Sequence, residues 1–157
     1  MIVNARDVQF PVFPKRKVIV TTVSSDSHTW NLVFLQLLLE EMGHEVINLG
    51  ACVPDDTLVD KCLEHAPDLI VVSSVNGHGY PDGKRVIERI RKTEELRQTP
   101  AVIGGKLGVS GELDRGMTET LVSAGFDAVF QSSSSPNVLQ SFVDSLPARR
   151  LKEISAA

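Results

Sequence analysis

An α/β fold, built as a parallel sheet with helices on both faces, is predicted by three features of the 157-residue chain. Short apolar runs alternate with longer amphipathic stretches five times over. The runs are nearly continuous in apolar residues, as strands buried on both faces are. Glycine, proline and acidic residues mark the junctions between them, where chain reversals and helix starts are expected.

The elements follow in order. Lys17 to Val23 reads as the first strand, and Trp30 to Met42 as the helix after it. Gly43-His44 turns the chain into a short second strand, Glu45 to Leu49. Pro54-Asp55-Asp56 opens a helix that runs to about His65, its acidic residues suited to a first turn. Asp68 to Val75 is the third strand. A glycine-rich surface turn, Gly77 to Gly83, is expected next, with a charged helix from about Lys84 to Leu96. Ala101-Val102-Ile103 is the fourth strand and ends in Gly104-Gly105. A helix over Leu113 to Ser123 leads to the fifth strand, Asp127 to Phe130. Ser135 then caps a last helix, with Pro136 at its first position.

Five such units make the doubly wound, flavodoxin-like order 2-1-3-4-5 the expected topology, with its switch point beside the first strand. The boundaries predicted are an extended arm over residues 1–15, one domain over 16–146, and a flexible tail over 147–157. Composition is that of an ordinary globular chain, with 42% hydrophobic and 23% charged residues. The net charge of −4 gives no basic groove, so no nucleic-acid partner is expected. The two cysteines, Cys52 and Cys62, stand in unrelated contexts, and no run is long enough to span a membrane. A cytoplasmic protein without a disulfide framework is therefore expected.

Asp26-Ser27-His28 is the most informative segment. It lies between the first strand and first helix, where open α/β sheets present ligands beyond the carboxyl ends of their strands. A carboxylate two residues before a histidine can hold one ring nitrogen, fixing the tautomer and leaving the other nitrogen a better donor to a metal. The same pair equally suits a loop hydrogen bond or a helix cap. Trp30 beside it fits core packing. The Gly77 to Gly83 spacing does not match a dinucleotide fingerprint, and it follows the third strand rather than the first. Gly104-Gly105 serves either a tight turn or the close approach of something flat. The serines from Ser132 to Ser135 suit a polar ligand or a solvated loop. His44 and His65 lie near helix ends away from this rim; His78 lies on it.

Taken together, the Asp-x-His loop, the Ser73-Ser74-Val75 strand end and the Gly104-Gly105 pair resemble the cobalamin-binding domain family. The resemblance extends over residues 15–146. Val46-Ile47-Asn48-Leu49-Gly50 and Val72 to Gly79 are most similar to the small subunit of glutamate mutase (methylaspartate mutase). What the resemblance implies is a cofactor held with its dimethylbenzimidazole tail detached from cobalt. His28 would be the axial cobalt ligand, with Asp26 on its other nitrogen. Ser73 would hydrogen-bond in the slot for the tail, and Gly104 and Gly105 would leave the tail room. Ser25, Ser27, Thr29, Asn31, Val75, Gly77, Lys106, Ser132 and Ser133 complete the implied cofactor-binding set. Asn31 stands where the family has glycine, Val75 where it has leucine.

The implied cofactor is adenosylcobalamin. The implied function is that of the cobalamin-binding subunit of a carbon-skeleton mutase, which would interconvert L-glutamate and 3-methylaspartate by a radical mechanism. No catalytic residue is expected on this chain alone, and a larger catalytic subunit would supply the substrate site. Two alternatives remain at this point: the small subunit of an acyl-CoA mutase, and a flavodoxin-like binding module that holds no cobalamin.

Overall fold

The computed structural model describes residues 13–147 except residue 111. Its strands are β1 (Lys17–Thr22), β2 (Glu45–Asn48), β3 (Leu69–Ser74), β4 (Ala101–Gly105) and β5 (Ala128–Gln131). Its helices are α1 (Trp30–Glu41), α2 (Asp55–His65), α3 (Gly79–Lys92), α4 (Arg115–Ala124) and α5 (Pro136–Ser145), with a single 3-10 turn at Glu94–Leu96. The five strands form one parallel sheet in the order β2-β1-β3-β4-β5, which is the order the sequence predicts. Most of the expected arm, residues 1–12, and most of the expected tail, residues 148–157, lie outside the described residues.

Strand periodicity sorts the core into two layers, because alternate side chains leave opposite faces. Val18, Val20, Leu69, Val71 and Val102 pack beneath α1 and α5, against Leu32, Leu39, Leu139 and Val143. Ile19, Ile70, Val72 and Ile103 face α2, α3 and α4, meeting Cys62, Ile87, Ile90 and Leu121 among others. β3 is central, and all six of its residues are buried. Burial in this layer pushes the Cys62 thiol up to about 12, so it stays a protonated apolar group.

The third helix departs from expectation. It begins at Gly79 rather than Lys84 and ends at Lys92, leaving Leu96 in the separate 3-10 turn. Two of the glycines taken for a surface turn, Gly79 and Gly83, lie inside the helix, where there is no room for anything larger. A Cβ on Gly79 would stand 2.5 Å from Leu107 Cδ2, and one on Gly83 the same distance from Ile103 Cδ1. The two glycines thus let α3 lie close on the sheet. Pro81 is tolerated in its first turn, where backbone N–H groups have no partner within the helix.

Trp30 is the second departure. It is 84% exposed instead of packed in the core, and heads a run of exposed apolar residues on α1, Val33, Phe34 and Leu37.

Candidate functional site

The β1–α1 loop is built around a buried carboxylate. The Asp26 N–H closes a turn on the Val23 carbonyl at 3.1 Å, and the Asp26 side chain has no solvent exposure. One carboxylate oxygen, Oδ1, accepts the His28 backbone N–H at 2.9 Å and the His28 ring Nδ1 at 2.7 Å. The other, Oδ2, accepts the Val75 N–H at 2.7 Å, just past the end of β3. The Asp26 carbonyl takes the Cys52 N–H at 2.8 Å from the loop after β2. One residue therefore ties three loops together. His28 is left with its Nδ1 engaged by a carboxylate and its side chain 58% exposed. A carboxylate partner keeps the proton on Nδ1, so the lone pair sits on Nε2.

Desolvation would raise the Asp26 pKa, but the hydrogen bonds from His28 and Val75 outweigh it and hold the carboxyl below its ordinary value. The loop's stability follows from this sign. A depressed folded pKa means that the stabilisation is complete above the ordinary value of 3.8 and is lost as pH falls through the lower folded value. Acid titration followed by NMR should show the Asp26 carboxyl and the Val75 amide shifting together below pH 3.8. A transition of the Asp26 carboxyl above that value would contradict the geometry.

A second set of bonds pins the same loop to α3. Ser25 Oγ donates to Asp82 Oδ2 and accepts Asn76 Nδ2 at 3.0 Å. Arg85 reaches Ser24 Oγ at 2.9 Å, Asp82 Oδ1 at 2.8 Å and Asp55 Oδ2 at 2.7 Å. These pairs are partly exposed, and their value lies in geometry more than in energy. Ser27 and Thr29 are exposed on the rim. The Thr29 carbonyl starts α1 by accepting the Leu32 and Val33 N–H groups, each at 3.1 Å.

Beginning at Asn31, a groove of about 280 Å³ opens between α1 and α5 over the carboxyl ends of β3, β4 and β5. Phe34, Leu38, Val71, Val102, Phe130 and Leu139 give it apolar walls, and Ser132, Ser134, Ser135 and Gln131 a polar mouth. Such a groove, apolar with few polar groups, suits a flat ligand. Among the expected residues, Asn31, Ser73, Val75, Gly104, Gly105 and Ser132 line it. Asn31 Nδ2 donates to Ser73 Oγ at 2.6 Å across the groove wall. The other amide atom, Asn31 Oδ1, is buried with no hydrogen-bond partner.

Other expected residues stand elsewhere. Ser133 does not line the groove; Ser134 and Ser135 do. Gly77 has φ of +85° and gives its N–H to the Lys106 carbonyl at 3.2 Å, so this pair joins the β3–α3 and β4–α4 loops. Lys106 itself is exposed.

The two glycines ending β4 line the groove and are also packed tightly against the neighbouring strands. A Cβ on Gly105 would lie 2.0 Å from the Ser74 carbonyl oxygen, and one on Gly104 would lie 3.0 Å from that of Phe130. Gly105 also has φ of +118°. The neighbouring strands alone exclude a side chain at Gly105 and crowd one at Gly104.

Sequence reasoning missed Asn76, whose side chain joins Ser25 to Ser74 and whose Oδ1 accepts the His78 N–H. It also missed Phe130 and Leu139 as groove walls and Gln131 as a brace. The Gln131 side chain accepts the Leu113 N–H at 2.8 Å and donates to the Leu113 carbonyl at 3.0 Å. A polar residue closing an apolar strand was the available signal for Gln131.

Comparison with known proteins places this geometry in context. The B12 binding domain family matches residues 16–131, taking in the Asp26–His28 loop and the groove floor. The chain is 31% identical over 117 residues to the glutamate mutase sigma subunit of Fusobacterium nucleatum, covering 74% of this chain and 85% of that protein. It is 34% identical over 124 residues to the glutamate mutase sigma subunit of Escherichia coli O157:H7, covering 76% and 79% of the two chains. Among solved structures, a cobalamin-binding protein from Desulfitobacterium hafniense DCB-2 superposes with a TM-score of 0.65 at 21% identity, over 83% of this chain and 59% of that one. That last likeness speaks for the fold alone.

Proposed function

Because the chain belongs to the B12-binding domain family and, within it, to the glutamate mutase sigma subunits, we propose that it carries adenosylcobalamin for a glutamate mutase. It would act with a larger catalytic subunit in the interconversion of L-glutamate and 3-methylaspartate. The observation that carries this reading is the His28 ring: held through Nδ1 by a buried carboxylate, exposed at the rim, and three residues before Asn31, which lines a groove.

The residues present fit the cofactor. A single protein nitrogen suffices for a metal that arrives with its other ligands on a macrocycle. Asp26 keeps the His28 proton on Nδ1 and orients the ring, which makes Nε2 the donor atom. The groove offers apolar walls for a flat aromatic tail, with Ser73 and Asn31 as its hydrogen-bonding groups. The bound cofactor would supply radical chemistry, for which this chain provides position and electrostatics. The exposed apolar run of Trp30, Val33, Phe34 and Leu37 begins beside the site. Exclusion of water from a reactive intermediate needs a second wall, and the catalytic subunit would provide it. Among the described residues no helix is long and apolar enough to cross a membrane.

The test has two arms. The purified chain, incubated with adenosylcobalamin and desalted, should retain a corrin spectrum. Mutase turnover of glutamate should appear only when a larger subunit is added, with tighter association when the cofactor is present. Failure to retain the corrin would remove the cofactor role and leave a binding module of the same fold. Turnover by the isolated chain would remove the partner.

A further inference from the structure

Ser24 and Ser25 are the two central residues of the turn that delivers Asp26, closed by the Asp26 N–H on the Val23 carbonyl. Both side chains end on one network. Arg85 donates to Ser24 Oγ at 2.9 Å, to Asp82 Oδ1 at 2.8 Å and to Asp55 Oδ2 at 2.7 Å, and Asp82 Oδ2 accepts the Ser25 hydroxyl. Asp55 opens α2, and Asp82 lies in the first turn of α3. One guanidinium therefore fastens the turn to two helices. The Asp55 and Asp82 side chains are only 10% and 14% exposed, so without Arg85 two largely desolvated charges would lose the cation they share. A second pair, Arg89 with Asp56, joins α3 to α2 one helical turn further along.

We infer that Arg85 is a positioning residue for His28: it holds the Ser24–Ser25 turn so that the imidazole is already aligned when the cofactor arrives. This rests on the reading of His28 as the axial cobalt ligand. Asp26 fixes the ring against the end of β3 and the loop after β2. Those bonds lie after the turn and leave the turn itself free to change. Its central peptide can rotate with the closing hydrogen bond intact, because several turn types share that bond. Such a rotation would redirect the Ser25 side chain and break its bond to Asp82, which Arg85 holds in place. The network therefore selects one form of the turn, and with it one direction of the chain entering Asp26. A ligand nitrogen ordered beforehand spares the binding step the cost of ordering it.

The experiment is a spectral titration of the purified chain with adenosylcobalamin. Arg85→Gln should weaken binding on the order of fivefold. Arg89→Gln, which also removes an ion pair between α2 and α3, should change it by less than about twofold. Arg85→Gln added to His28→Ala should cost nothing further, since a residue that acts through the ring then has no ring to act on. In the cofactor-free chain, amide hydrogen exchange should quicken over residues 24–28 in Arg85→Gln and not in Arg89→Gln. Circular dichroism confirms that each variant folds. Ser25→Ala, which keeps the ion pairs, makes the same comparison should Arg85→Gln fail to fold, with a similar loss expected. Equal effects of Arg85→Gln and Arg89→Gln, or a full penalty that persists without His28, would overturn the inference with the cofactor role intact. A wild-type chain that retains no cobalamin would instead defeat the reading on which it rests.

Discussion

His28→Ala is expected to remove the axial nitrogen from bound cobalt and to lower cobalamin affinity by about 100-fold or more, since the bond itself is lost. Without the ring, the Asp26 carboxylate still accepts the His28 and Val75 backbone N–H groups, so the variant should fold as the wild type does. EPR of the Co(II) form reads the ligand directly, because an axial nitrogen splits the cobalt lines. Asp26→Asn gives the graded control. An amide there cannot accept from the backbone N–H groups of both His28 and Val75 and from the His28 ring. The ring would then lose its orientation while keeping its donor atom. Affinity should fall less than for His28→Ala, by about 10–100-fold, with nitrogen splitting still visible. Nitrogen splitting and affinity both unchanged in His28→Ala would mean that His28 is not the axial ligand.

Gly105→Val is expected to destabilise the fold itself, by roughly 3–5 kcal/mol, through left-handed backbone strain and overpacking combined. The Cβ would meet the Ser74 carbonyl at 2.0 Å, and that carbonyl belongs to the central strand. Chemical denaturation should show a lower midpoint with little change of slope. Gly104→Ala is the milder companion, its Cβ meeting the Phe130 carbonyl at 3.0 Å. Native stability in Gly105→Val would mean that β3 and β4 separate at this edge more readily than their pairing implies.

Both predictions show what the sequence makes legible. The strands are readable because the sheet is covered on both sides, so β3 is buried along its whole length and its run needs no partner to be recognised. The Asp26–His28 pair is readable because it is local, two residues apart in one loop. Its further partners are not: Val75 is 49 residues away, and Cys52 belongs to another loop. Glycines are the least readable. Gly79, Gly83 and Gly105 look like punctuation in the sequence, yet each is set by an atom that only the assembled sheet brings near. The groove shares that difficulty, since its walls come from α1, from α5 and from the ends of three strands. Its apolar residues are indistinguishable in sequence from core residues that face the other way.

The triple attachment of Asp26 makes the rim mechanically a single body. The loops after β1, β2 and β3 share one buried residue, through its carboxylate and its carbonyl. A fluctuation that lifts any of them must strain the bonds to the other two, so their motions are collective rather than independent. Whatever grips one loop stiffens all three, and the imidazole inherits that stiffness. By the reciprocity of coupled equilibria, the grip on each loop is strengthened in turn by whatever holds the imidazole.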